Sequence, residues 1–369
     1  MPGVPRLPTR QLASGKKVPD TFSGLDRPSD SRTLSCKGSL GRPPPRPLPG
    51  NPVNRSPYHR GINFLPNTLI LLAVAGCAVA PKPVPIERTE WQPAPGFQGT
   101  RLQTPHYDLR LTARDPVLQA YLPGFLETAL DAYRQLVPGP GDQRMEIYLF
   151  ETRAEWARFT RRFAPTDAHT YLHIQEGAYM DQRTATTVAY DLGRDRTLAL
   201  LAHEGLHQYF AACLPEPVVP WLNEGLATQF EAFTLRQGRP VFTPRHNLFR
   251  RNNLREALDG QGSWIPLSQL LSMHAGQAVV QTGQIARGYY AQVWALVLFL
   301  REGPYARDFQ HLVRDLGTDR MRLATRAYRA AHAGAATLSE GEVVFRHYIT
   351  DQIDEADHAC REFAHRLVR

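Results

Sequence analysis

The sequence predicts an α+β fold: a small mixed sheet followed by a mainly helical domain. Three observations predict it. Short runs of alternating apolar and polar residues come early, at Tyr107–Leu111 and Met145–Phe150. Helical periodicity then dominates to the C-terminus. Between the two regimes lies a strongly apolar helix, residues 200–210, which carries His203, Glu204 and His207.

In chain order, residues 1–60 are rich in Pro, Arg, Ser and Gly and show no apolar period. They read as disordered, or as an extension upstream of the true start. Arg55, His59 and Arg60 then precede the uncharged run Thr68–Ala80. A positive flank, a short apolar core and small residues describe a secretory signal, here over 61–77. The run is too short to span a bilayer comfortably. Val74-Ala75-Gly76-Cys77 resembles the bacterial lipobox, which implies acylation of Cys77, export to the periplasmic or cell-surface side and a lipid anchor in the membrane. Residues 78–104, with five prolines, read as an extended tether. The folded part is expected over 105–369.

Of the 43 basic and 35 acidic residues, 11 and 3 fall within residues 1–76, leaving 32 of each sign beyond. The basic charge therefore belongs to the N-terminal segment, and the core has no electrostatic footprint for nucleic acid.

Tyr107–Leu111 alternates as a strand. Asp115–Val137 places Leu118, Leu122, Phe125, Leu126, Leu130 and Tyr133 on one helical face. Met145–Phe150 is a second strand. Thr152-x-x-Glu155 is a capping box that opens a helix with Trp156, Phe159 and Phe163 inward. Gly177–Met180 and Thr186–Tyr190, joined by a polar turn, form a hairpin. Pro266–His274 reads as a short helix, and Tyr289–Leu300 as a buried one, apolar nearly all round. Ser339-x-x-Glu342 caps a C-terminal helix containing Phe345, Ile349 and Ile353.

His203 and His207, four residues apart, share one face of a helix. With Glu204 they make H-E-x-x-H: two neutral imidazoles to bind zinc and a carboxylate to act as base on a zinc-activated water. A chance match in a chain with 13 histidines has odds of roughly a few per cent from composition alone. Three ionisable groups within an apolar helix are costly without a metal or another partner. Zinc needs a third protein ligand. The metzincin continuation fails, because Phe210 and Cys213 stand where that pattern has Gly and His. Pro215, Pro217 and Pro220 break the helix, and a new segment, Trp221-Leu222-Asn223-Glu224-Gly225-Leu226-Ala227, can return Glu224 to the metal. Glu216 and Glu231, the neighbouring acids, are not assigned to it.

The pair His203-Glu204-x-x-His207 and Trp221–Ala227 resembles the gluzincin zinc peptidases, closest to the peptidase-MA-like bacterial domains and the related aminopeptidases. The resemblance covers residues 200–231. It implies a zincin-like domain with Zn2+ on His203, His207 and Glu224, Glu204 as general base, and a peptide or protein substrate. Sixteen residues separate His207 from Glu224, slightly fewer than in the aminopeptidases. In gluzincins a sheet edge beside the site holds substrate as an added strand. The aminopeptidase G-A-M-E-N at that edge is replaced by Gly177-Ala178-Tyr179-Met180-Asp181, which lacks its Glu. Related peptidases place a downstream tyrosine to stabilise the oxyanion. Tyr290 is the candidate, with Tyr289 beside it; the alternative for either is a core tyrosine with a bonded hydroxyl. The other reading of the whole chain is a non-catalytic lipoprotein that uses the same fold for binding or structure. Cys213 and Cys360 are expected either to pair or to remain buried thiols. His173, His246 and His274 have no ligand spacing.

Overall fold

The computed structural model describes residues 84–92, 98–139, 143–174, 177–260, 264–274 and 283–369. The expected N-terminal extension, the signal segment and Cys77 lie outside the described residues.

Six strands form one mixed sheet: β1 (Glu87–Trp91), β2 (Gly99–Gln103), β3 (Tyr107–Leu111), β4 (Met145–Phe150), β5 (Ala178–Asp181) and β6 (Thr186–Tyr190). Their order is β1-β2-β3-β4-β6-β5. β3, β4 and β6 are parallel, whereas β1, β2 and β5 run antiparallel to their neighbours. Parallel neighbours need a crossover, which helix α1 (Pro116–Leu136) supplies between β3 and β4. Asp115 starts it by accepting from Val117 N and Leu118 N at 2.9 and 3.3 Å.

The central strands β3, β4 and β6 are buried on both faces. Leu102, Leu109, Leu111, Ile147 and Leu149 pack into the main core with α1 and α4 (Arg194–Cys213). Tyr148, Phe150, Val188 and Tyr190 point the other way and meet Trp156 of α2 (Arg153–Phe163) in a second aromatic cluster. A short helix, α3 (Ala168–Tyr171), follows, and Tyr171 stacks on Tyr179 of β5 with centroids 3.8 Å apart.

After α4 the chain is helical except for one hairpin: α5 (Pro220–Ala227), β7 (Phe233–Arg236), β8 (Arg239–Phe242), α6 (Leu248–Leu258), α7 (Leu267–Ser272), α8 (Gly283–Glu302), α9 (Ala306–Asp315), α10 (Asp319–Ala331), α11 (Glu340–Tyr348) and α12 (Ile353–Val368). α8 is the axis of this half, buried from Tyr289 through Leu300 except at Tyr290 and packed on α5, α6, α9 and α12. No described helix is long and apolar enough to cross a membrane.

Three expectations need correction. The tether over 78–104 is shorter than its prolines suggest, because 87–91 and 99–103 add two strands to the sheet. Proline-rich flanks set the composition of that stretch, while backbone pairing of β2 with β3 and of β1 with β2 sets its structure. The single C-terminal helix is two: α11 ends at Tyr348, and Arg346 donates to Asp351 O at 2.8 Å across the break before α12. The capping box is half made. Thr152 accepts from Glu155 N at 3.2 Å, but the Glu155 carboxylate accepts from Thr112 Oγ1 at 2.6 Å instead of closing back. Cys213 and Cys360 are not joined as a disulfide; the Cys213 thiol is hydrogen bonded with Tyr209.

Candidate metal centre

Two helices carry the expected ligands, and both are locked by close backbone approach. On α4, every residue from Leu201 to Phe210 is buried. Gly205 lets the helix lie against α1: a Cβ there would sit 2.8 Å from the Tyr133 hydroxyl, which donates to Ala202 O at 2.6 Å. α5 begins with Pro220 in its first turn, where a missing N–H costs nothing. Gly225 plays the matching part, since a Cβ there would meet Val297 Cγ2 at 2.6 Å and Val293 O at 2.9 Å on α8. Trp221, next to the ligand segment, is fully buried and donates to Gly341 O at 3.0 Å.

This packing brings His203, His207 and Glu224 together, all buried. The two Nε2 atoms are 3.1 Å apart. Glu224 Oε2 lies 3.2 Å from His203 Nε2 and 3.5 Å from His207 Nε2. In a tetrahedral zinc shell with bonds of about 2.0–2.1 Å, neighbouring donors are roughly 3.3–3.4 Å apart. The donor triangle therefore has the size that zinc requires.

The tautomers point the same way. His203 Nδ1 lies 2.8 Å from Glu231 Oε1, and His207 Nδ1 lies 3.0 Å from Asn223 Oδ1. A neutral imidazole that donates from Nδ1 keeps its lone pair on Nε2. Two lone pairs then face each other at 3.1 Å beside a carboxylate oxygen, an arrangement that repels unless a cation sits among them. Glu224 Oε2 is buried without a satisfactory hydrogen-bond donor among the described residues. The residues present thus fit a zinc ion.

Charge says the same. Glu204, Glu224 and Glu231 are buried or nearly so around the pair, and Arg250 offsets one of these charges. Burial would lower the pKa of His203, but Glu224 and Glu231 outweigh it and hold the ring up at about 10. Burial likewise opposes the charged form of Glu224, yet the two histidines keep its carboxyl well below the usual range. Protons here take the place of the cation that the carboxylates attract, and a metal competes with them.

The Glu204 carboxyl is buried beside both histidines. Burial raises its carboxyl pKa against the pull of the histidines, a direction that brings a carboxylate closer to the working range of a general base. The Tyr290 ring stands edge-on to His203, with centroids 6.2 Å apart. Burial pushes its phenol well above the ordinary value. Tyr289 is fully buried, and its hydroxyl has no partner among the described residues.

Sequence reasoning missed the layer behind the ligands. Glu231 bonds the outer nitrogen of His203 and is itself gripped by Arg250 through Nε at 2.7 Å and Nη2 at 2.6 Å, and by Asn247 Nδ2 at 2.8 Å. The Arg250 guanidinium also lies 4.9 Å from the Tyr290 ring centre. Glu231 follows Glu224 by seven residues, two helical turns, and a 3-10 turn at Thr228–Phe230 continues α5 toward it. That spacing was a usable signal. Asn223 adjoins the ligand and could have been tried on the second histidine. Arg250 has no local signal. His173, His246 and His274 are exposed.

Compared with protein-family models, with curated proteins and with solved structures, the chain matches none.

Proposed function

We propose that this chain is a zinc-dependent peptidase of the gluzincin kind, with a zincin-like, peptidase-MA-like domain held to a membrane through an acylated Cys77. The observation that carries the reading is the donor triangle of His203, His207 and Glu224, with the outer nitrogen of each histidine already hydrogen bonded. Nucleic acid has no place in this reading, because the core is charge-balanced.

His203 and His207 offer Nε2 and Glu224 offers Oε2 to the metal. Bound zinc supplies a Lewis acid for the scissile carbonyl and makes water a competent nucleophile near neutral pH. Glu204 takes the proton of the attacking water and returns it to the departing amine nitrogen. Its burial raises the carboxyl pKa, a direction that strengthens it as a proton acceptor. The Tyr290 hydroxyl donates to the oxygen on which charge develops. Glu231 and Asn223 hold the imidazoles in the ligating tautomer.

Purified protein should hold about one zinc per chain, as a mononuclear site requires, and His203→Ala should lose most of it. Glu204→Gln should keep zinc and lose hydrolysis of a broad peptide pool by several orders of magnitude. Full metal occupancy in His203→Ala defeats the metal site. Wild-type turnover no higher than that of Glu204→Gln defeats the peptidase. Mass spectrometry of the mature N-terminus tests the anchor, which fails if the chain begins upstream of Cys77.

A further inference from the structure

The hairpin β7–β8 stands away from the body of the protein. Thr234 to Arg239 are exposed without interruption, and the tip residues Gln237 and Gly238 both have positive φ, 51° and 75°, the backbone of a tight two-residue turn. Its root is rigid, because Phe233 and Phe242 pack on Phe125 of α1 with centroids 4.9 and 6.2 Å apart.

Two features of this projection have no use inside the fold. The first is charge. Residues 232–255 contain six arginines and no acidic residue; Arg250 and Arg245 are held by Glu231 and Glu302, whereas the two on the hairpin itself are not. Arg236 and Arg239 face each other directly across the strands, an arrangement that costs stability, and neither has an ion-pair partner among the described residues. The second is apolar exposure. Leu235 and Val241 are 48% and 38% exposed, and Val117 and Tyr121 of α1 are 40% and 45% exposed. Val117, Tyr121 and Phe125 repeat every four residues along one stripe of α1. Leu235 lies two residues beyond Phe233 on the same face of the hairpin. The ring contact between Phe125 and Phe233 sets the Leu235 face of the hairpin against α1, while Val241, opposite Thr234, shares the other face with Arg236 and Arg239.

We infer that this arginine-flanked apolar projection docks on an anionic lipid surface. A headgroup layer supplies negative charge to Arg236 and Arg239 at the same depth at which the acyl boundary takes Leu235 and Tyr121. An acidic polypeptide would satisfy the arginines alone. The proposed acylation at Cys77 adds to the case: nine residues lie between Cys77 and Glu87, and at about 3.5 Å per residue they keep the sheet within roughly 35 Å of a bilayer. That last step rests on the anchor; the charge and exposure do not.

The test places an indole on the projection of the full chain, Leu235→Trp, with Leu323→Trp on α10, 56% exposed, as the comparison. Vesicles of phosphatidylcholine and phosphatidylglycerol are used, with and without brominated acyl chains. The indole at 235 should blue-shift and be quenched by bromine, whereas the one at 323 should not. Adding Arg236→Glu and Arg239→Glu should weaken vesicle binding at least about thirtyfold, at the usual contribution of each arginine near a charged surface. Equal quenching at both positions, or no quenching at 235, overturns the inference, and so does quenching that survives both charge reversals. An emission shift at 235 with polyglutamate but not with vesicles overturns it in favour of an acidic polypeptide. Zinc content and peptide turnover, read on the same samples, report separately on the metal site.

Discussion

Glu231→Gln removes one negative charge from behind His203 and keeps the shape of the side chain. Glu231 Oε1 accepts from His203 Nδ1 at 2.8 Å while the same carboxylate takes two short bonds from Arg250. An amide can present its oxygen to one of these donors, but its nitrogen then faces the other. Loss of a hydrogen-bonded outer partner of a zinc histidine costs roughly 10- to 100-fold in metal affinity, about 1.4–2.7 kcal/mol. The fold suffers separately. Arg250 is only 12% exposed, and breaking a buried pair costs about 3–5 kcal/mol; the surviving amide oxygen and the Tyr290 ring place this case near the lower end. Zinc affinity is measured by competition with a chromophoric chelator, and stability by denaturant titration of zinc-free protein. Both should fall. The Kd for zinc should stay far below that of Glu224→Ala, because the ligand triangle survives. A Kd within about twofold of wild type would refute the view that Glu231 orients His203.

Glu224→Ala should abolish tight zinc binding while Glu216→Ala leaves the chelator titration unchanged; the reverse would move the third ligand elsewhere. Gly225→Ala should destabilise by about 1–3 kcal/mol in denaturant titration, because the added methyl meets Val293 and Val297 at 2.9 and 2.6 Å; unchanged stability would mean that α5 and α8 separate easily. Asp108 supplies the pH dependence. Burial opposes its charge, yet bonds from Arg101 and Arg110 outweigh this and lower its pKa. A depressed carboxyl contributes stability that is present above its unfolded pKa of about 3.9 and lost as pH falls through the folded value. Asp108→Asn should therefore lower stability at neutral pH and flatten the acid limb of the stability curve, which calorimetry between pH 2 and 7 would detect; an unaltered acid limb would count against it.

Local signals carry further in this chain than tertiary ones. The strands at 107–111 and 145–150, the hairpin at 178–190 and the buried axis of α8 were all legible, because alternation and helical period are written in neighbouring residues. So were His203, Glu204 and His207, since a spacing of four is a statement about one helix face. Glu224 needed the resemblance over Trp221–Ala227 and the proline break before it. β1 and β2 were hidden, because short polar segments among prolines become strands only when β3 offers β2 a partner and β2 in turn offers one to β1. The break between α11 and α12 was hidden too, as apolar spacing runs on through Ile349 and Ile353 while Asp351 takes the bond from Arg346.

Only the tertiary structure decided what stands behind the ligands. Glu231 and Arg250 lie 28 and 47 residues from His203 in sequence; Glu231 has only its two-turn spacing from Glu224 to mark it, and Arg250 has no local mark. They matter because α6 packs on α8 and delivers Arg250 to the carboxylate. Sequence determined which groups could bind a metal and on which helices they ride. The distances of 3.1–3.5 Å between their donor atoms depend on how closely α4 meets α1 and α5 meets α8, and the glycines that permit both approaches become meaningful once their neighbours are known. A helical period reports the face of one element, whereas the separation of two faces is set by packing between residues that sequence does not place side by side.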